Sequence, residues 1–247
     1  MFKKKLSKEE KSTNVFLDNL KVFLEAVIIA LIIRSFVFEP FHIPSGSMKD
    51  GLLEGDFIFV TKYSYGYSKY SFPLALIPFK DRIFNKEPER GEVIVFRLPS
   101  NPSINYIKRL VALPGDEVQV KDGILYINDQ ELKQIANGYY EDSKYGNIQR
   151  YTEINSEGKE YNILNYVDNS LKDNTAKFKV PQDQYFFMGD NRDNSMDSRF
   201  MTKVGFIPKE NLIGKARFIF MSSEDSLFKF WKWHNIIRID RIFQKII

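Results

Sequence analysis

Three stretches of this 247-residue sequence carry side chains whose types and spacing could do chemistry. Pro44-Ser45-Gly46-Ser47-Met48 reads as a tight turn able to present a hydroxyl beside free backbone N–H groups. Such a turn can hold a serine nucleophile with its oxyanion donors, although an ordinary surface loop has the same composition. Tyr106-Ile107-Lys108-Arg109-Leu110-Val111 has strand character and places Tyr106, Lys108 and Leu110 on one face. A lysine among apolar neighbours and away from carboxylates loses solvation, and its pKa falls until the neutral amine can act as a base. A lysine snorkelling from a strand is the competing reading. The third stretch runs from Gly189 to Arg199. Its Asp193-x-Ser195-x-Asp197 spacing alternates oxygen ligands but lacks the glycine and distal glutamate of a calcium loop. An Asp–Arg network beside a site, or a solvated turn, accounts for it better.

Composition narrows the chemistry further. With no cysteine, disulfides, thiol nucleophiles and Cys-based zinc sites are excluded. His42 and His234 are the two histidines. The extended Phe41-His42-Ile43 turns His42 away from the serine turn, and His234 lies in an aromatic tail. Neither supports a Ser-His-Asp triad or a metal site. If Ser47 is a nucleophile, its base is then a lysine. The formal net charge of +4 is too small to argue for nucleic acid. No metal, cofactor or nucleic-acid partner is expected.

These residues need elements to position them. Residues 1–14 are polar and lysine-rich, an expected cytoplasmic N-terminus. Residues 15–38 follow with helical spacing and are expected to form one transmembrane helix of roughly 36 Å. Asn14, Asp18, Lys21 and Glu25 share one face and Arg34 interrupts the far end, so an interfacial helix is the rival. With lysines at the N-terminus, the positive-inside rule exports everything after Phe38. Pro40 and Pro44 then end any helix close to the membrane. Short β patterns follow at 57–60, 93–96, 106–111, 185–188 and 215–221. Val118 to Ile127 reads as a hairpin turning at Asp122-Gly123. The expected catalytic β core covers 39–127 and 180–221, with a looser β insertion over 128–179. A basic aromatic tail over 222–247 contains Trp231, Lys232, Trp233, Arg238 and Arg241.

Ser45-Gly46-Ser47-Met48, the run from Tyr106 to Asp116 and the run from Gly189 to Arg199 resemble the conserved boxes of bacterial type I signal peptidases. The apolar segment, Gly55-Asp56 and Arg90-Gly91-Glu92-Val93 follow that family's order. The resemblance covers about Phe36 to Arg217 apart from the insertion. It implies a mostly-β fold of coiled antiparallel sheets and a Ser–Lys dyad with Ser47 as nucleophile and Lys108 as general base. It also implies oxyanion donors at the Ser47 N–H and the Ser45 hydroxyl, and a Ser195 hydroxyl that orients the lysine. Arg109, Asp190, Asp197 and Arg199 match its supporting charged network. Phe41, Ile43, Leu52, Tyr106 and Ile107 match the walls of shallow substrate pockets. Asp50-Gly51 departs from the family's usual Pro-Thr at the rim of the cleft.

The implied function is removal of signal peptides from exported preproteins, by an enzyme on the outer face of the bacterial cytoplasmic membrane. Its partners would be those preproteins and the lipid bilayer. A membrane-tethered β adaptor that cleaves nothing is the alternative from another class. A self-cleaving Ser–Lys repressor would carry an N-terminal DNA-binding helix pair, where this chain has an apolar segment.

Overall fold

The structure, a computed structural model, describes residues 2–72, 81–167, 170–225 and 233–247. Expectations for Trp231 and Lys232 lie outside the described residues. The long helix α1 (Phe2–Phe36) runs 35 residues and ends where Val37 donates its last helical bond to Ile33 O, 2.8 Å. It begins earlier than the expected span and stops two residues sooner. No helix among the described residues is long and apolar enough to cross a membrane. Asp18, Lys21, Glu25 and Arg34 interrupt the apolar part of α1, so the structure does not show the apolarity expected of a transmembrane helix over 15–38.

Strand β1 (Phe38–His42) follows at once and pairs antiparallel with β2 (Asp56–Thr61). Pro40 lacks a donor, and β1 occupies a sheet edge, where that loss is tolerated. Next come β3 (Val93–Leu98) and the 12-residue β4 (Asn101–Ala112). The hairpin of β5 (Glu117–Lys121) and β6 (Ile124–Ile127) turns at Asp122-Gly123, as its sequence predicts. The insertion supplies β7 (Gln130–Glu131), β8 (Lys133–Asp142), β9 (Gly146–Ile154), β10 (Glu160–Asn165) and β11 (Phe178–Lys179). The chain returns through β12 (Gln184–Met188), β13 (Ile207–Pro208) and β14 (Leu212–Ser222), and then the short α2 (Trp233–Ile236).

Seven strands form the main sheet in the order β1-β2-β14-β3-β4-β12-β13. Strands β10-β9-β8 form a second sheet and β11-β5-β6-β7 a third. Every pairing between named strands is antiparallel. The unbroken apolar run of β3 has a direct cause. Val93 and Val95 face a core with Ile43, Met48, Leu52, Ile58, Val60, Ile213, Ala216 and Ile219. Ile94, Phe96 and Leu98 face another with Leu110, Tyr185, Phe187 and Ile207. A strand buried on both faces loses its polar alternation, and each such side chain contributes about 1.5–3 kcal/mol by leaving water.

The insertion is fastened to the core. Arg192 Nη1 and Nη2 reach Glu153 at 2.8 and 2.6 Å in a buried pair, which Tyr161 and Gln134 complete by donating to the same carboxylate. Burial alone would raise the Glu153 pKa, but the Arg192 guanidinium outweighs it and holds the carboxyl ionised. The tail is equally fixed. Arg241 Nη2 donates to Asp56 Oδ2 at 2.7 Å, and Arg238 Nε to Ser222 Oγ at 2.7 Å.

Candidate active site

The serine turn forms a single 3-10 turn over Gly46–Met48, between β1 and β2, with all three residues buried. Lys108 is carried by β4, two strands beyond β14 in the sheet. Its Nζ lies 2.7 Å from Ser47 Oγ and donates to Ile107 O at 2.9 Å. Tyr106 covers the amine, its ring centroid 5.2 Å from Nζ. Lys108 is 4% and Ser47 8% exposed, so the pair sits at the edge of water. Burial lowers the Lys108 pKa to about 8, against the opposing fields of Asp197 and Asp190. The expectation of an amine far from carboxylates is thereby corrected. β12 pairs with β4 and brings the Gly189–Arg199 run alongside Lys108.

Those carboxylates are themselves each paired with an arginine. Asp197 receives Arg199 Nε and Nη2, both at 2.9 Å, and the Gly189 N–H at 3.1 Å. Burial pushes its pKa up and the Arg199 guanidinium pulls it below the usual range, so it stays ionised. Asp190 receives Arg109 Nε and Nη2 at 2.8 and 2.7 Å. The Arg109 guanidinium also donates to Gly91 O and stacks 4.1 Å from the Tyr161 ring centroid. Each carboxylate field at the amine is partly cancelled by its own arginine.

A cleft of about 550 Å³ holds both reacting atoms, lined by Ser45, Ser47, Tyr106, Ile107, Lys108 and Ser195 among others. Ser45 Oγ lies 3.4 Å from Ser47 Oγ, on the cleft side of the turn. Ser195 is buried there, but its expected hydrogen bond to Lys108 is not formed. It makes a polar contact with Asp197 without closing a bond of normal geometry. Lys108 takes its orientation from Ile107 O and Ser47 instead. Of the expected pocket residues, Tyr106 and Ile107 line this cleft. Ile43 and Leu52 are buried in the core cluster, with Phe41 packed against that cluster.

Gly189 explains how the parts fit. A Cβ there would stand 2.2 Å from Ser195 Oγ, 2.5 Å from Ser195 Cβ and 2.5 Å from Ser47 O. Only a residue without a side chain lets the chain leaving β12 pass between the serine turn and Ser195. His42 is exposed on the other side of β1, its ring 4.8 Å from that of Phe57. Sequence reasoning missed two contributors. Glu153 partners Arg192 from the insertion, and Asn191 bonds the serine turn. Asn191 and Arg192 both lie inside a run already singled out, but nothing in the sequence pairs them with their partners. Asp50, at the departure from the resemblance, accepts from Arg150 Nη1 and Asn162 Nδ2, both at 3.2 Å, so it ties the turn to the insertion sheet. Among the described residues no group of three or more His, Asp or Glu side chains could hold a metal ion.

A buried amine of lowered pKa in contact with a serine hydroxyl is the arrangement a peptide-bond hydrolase needs, and known proteins agree. The model of the family described as signal peptidase, peptidase S26, matches residues 16–221. Signal peptidase I of Rickettsia typhi is 42% identical over 243 residues, covering 91% of each chain. Signal peptidase I of Rickettsia canadensis is 42% identical over 245 residues, covering 92% of each. A solved signal peptidase I from Enterococcus faecalis V583 overlaps 53% of this chain and 97% of its own at 26% identity. Its TM-score of 0.32 is too low to bear on the fold. A family model that matches most of the chain, with relatives at this identity over nine-tenths of it, leaves one assignment: the chain belongs to the signal peptidase family, peptidase S26.

Proposed function

We propose that this chain is a serine endopeptidase that removes signal peptides from exported preproteins through a Ser47–Lys108 dyad. The 2.7 Å approach of Lys108 Nζ to Ser47 Oγ, with the amine's pKa lowered to about 8, is the observation that carries the reading. With the amine neutral, the Ser47 hydroxyl donates to its lone pair and Oγ attacks the scissile carbonyl. The proton taken by Lys108 passes to the leaving amine as the C–N bond breaks, leaving an acyl ester on Ser47. Lys108 then takes a proton from water, whose oxygen attacks the ester, and returns it to Ser47 Oγ. Charge on the carbonyl oxygen is met by the Ser47 N–H and the Ser45 hydroxyl. Incubating the detergent-solubilised protein with a preprotein and mapping the cut tests this. One cut at the end of the signal peptide, lost in Ser47→Ala, is expected, and an uncut preprotein would leave the non-catalytic adaptor.

The same reading places the enzyme at the outer face of the bacterial cytoplasmic membrane. Two features support it. Apolar side chains of α1 from Val15 to Phe36 are exposed, Phe16 at 67% and Phe23 at 63%. Beyond α1, Phe38, Phe57, Phe59, Phe218 and Phe220 form a continuous ring-to-ring face on β1, β2 and β14. A single crossing by α1 depends on its charges being paired. Lys21 lies 3.9 Å from Glu25, and Arg34 2.7 Å from Glu39. Protease added outside spheroplasts should then digest residues beyond Phe38 and spare the N-terminal lysines. Digestion only after lysis would reverse the orientation.

A further inference from the structure

We propose that Asn191 is a positioning residue for oxyanion stabilisation: its carboxamide sets the plane of the Gly46–Ser47 peptide, and so the direction of the Ser47 N–H. The proposal rests on Ser47 being the nucleophile. Asn191 is 1% exposed and donates twice to the serine turn. Its Nδ2 reaches Gly46 O at 3.0 Å and its backbone N reaches Ser47 O at 3.2 Å. The amide orientation follows from chemistry, because a carbonyl oxygen only accepts and Nδ2 is the end that can donate. Asn191 Oδ1 is buried with no hydrogen-bond partner among the described residues, so the Gly46 contact is what holds the side chain.

Geometry turns this bond into control of a donor. In a planar trans peptide the Gly46 C=O and the Ser47 N–H point in opposite directions. Fixing the oxygen on the Asn191 side aims the N–H away from Asn191. Inside the turn Gly46 O receives only the Lys49 N–H, at 3.2 Å. Near the start of a single 3-10 turn, Ser47 has no intrahelical acceptor for its own N–H. The peptide could tip without an outside partner, and Asn191 supplies one on each side of Ser47. Donation to the carbonyl also polarises the peptide and strengthens its N–H as a donor. Asn191 is braced in turn by the insertion. Leu164 N donates to Asp190 O and Arg192 N to Leu164 O, both at 2.9 Å, in a parallel bridge between Leu164 and Asn191.

Removing an oxyanion donor outright lowers kcat by about 10²–10³. Misdirecting one should lower it by less, about 10- to 100-fold. The test compares the detergent-solubilised full chain with its Asn191→Leu and Asn191→Asp variants on one preprotein. A peptide aldehyde, which adds Ser47 Oγ to form a tetrahedral oxyanion, and the matching unreactive peptide alcohol serve as probes. Expected are a 10- to 100-fold loss in kcat, KM within about twofold, and an equal loss of affinity for the aldehyde. Alcohol binding and the acid limb of the pH profile should not move. Asn191→Asp keeps the shape and the backbone bond while losing the donor, so it reads the same quantity if Asn191→Leu does not fold. Full kcat in a folded variant, or a loss confined to KM with aldehyde affinity intact, overturns the proposal. A parent enzyme that cleaves as well after Ser47→Ala overturns the dyad instead, which keeps the two failures distinct.

Discussion

Lys108 Nζ and Ser47 Oγ lie 2.7 Å apart, while Asp197 and Asp190 act on the amine through space, each already held by an arginine. Two groups that exchange one proton act as a unit, and their losses do not add. Ser47→Ala and Lys108→Ala should each abolish preprotein cleavage, and the double variant should be no worse than either. Substantial turnover by a folded Lys108→Ala protein would remove the lysine from the mechanism.

The pH profile follows from the same pair. Only the neutral amine accepts the serine proton, so kcat/KM should rise through a limb near pH 8, the value to which burial lowers Lys108. His42 is exposed and turned towards Phe57, so His42→Ala should leave the limb in place. A limb near pH 6.5 that vanishes in His42→Ala would assign the base to histidine.

Stability should carry the opposite mark of that burial. The Lys108 pKa is depressed on folding, so between about 8 and 10.5 the unfolded chain binds more protons and stability rises with pH. Below pH 8 both states are protonated and the full penalty of the buried charge is present. Lys108→Met removes it. The stability of the variant minus that of the parent should shrink by up to about 3 kcal/mol between pH 8 and 10.5. A difference that is flat across denaturant titrations in this window would contradict burial of the charged amine.

Gly189→Ala tests the packing between the two halves of the site. Its Cβ would meet Ser195 and Ser47 O at 2.2–2.5 Å, so cleavage should fall by about two orders of magnitude or more as the serine turn is displaced. Ser195→Gly relieves the contacts with that side chain but not the one with the Ser47 carbonyl. The double variant should therefore stay impaired, and full recovery would place the clash at Ser195 alone.

The Arg192–Glu153 pair should behave as buried ion pairs do. Glu153→Gln strands a guanidinium and should cost about 3–5 kcal/mol of stability in chemical denaturation. Replacing both, as Arg192→Met with Glu153→Leu, should recover much of that loss. An Arg192→Met single variant as stable as the parent would show the pair to be dispensable.

Much of this was legible in the sequence where local pattern decides the outcome. β3 announced its burial through an unbroken apolar run, the β5–β6 hairpin through Asp122-Gly123, and Lys108 its face through Tyr106 and Leu110. What the sequence hid depends on long-range register. Asp190 and Asp197 come near Lys108 because Met188 pairs with Arg109, a match that no local pattern encodes. Glu153 and Asn191 were hidden for the same reason. Ile43 and Leu52, which the resemblance gives as pocket walls, sit in a buried apolar cluster that β2, β3 and β14 share, and that company too is set by long-range register.

The position of β14 sets a timetable for the enzyme's own synthesis. The serine turn hangs between β1 and β2 and Lys108 rides on β4, and in the main sheet the strand that joins these halves is β14, residues Leu212–Ser222. A ribosome that has made the nucleophile and its base has therefore not yet made the strand that brings them together. Non-local strand pairing is slow to form, since distant segments must meet before any contact stabilises them. The nascent chain thus keeps its serine and lysine apart until β14 has been made, and only then gains the means to cut.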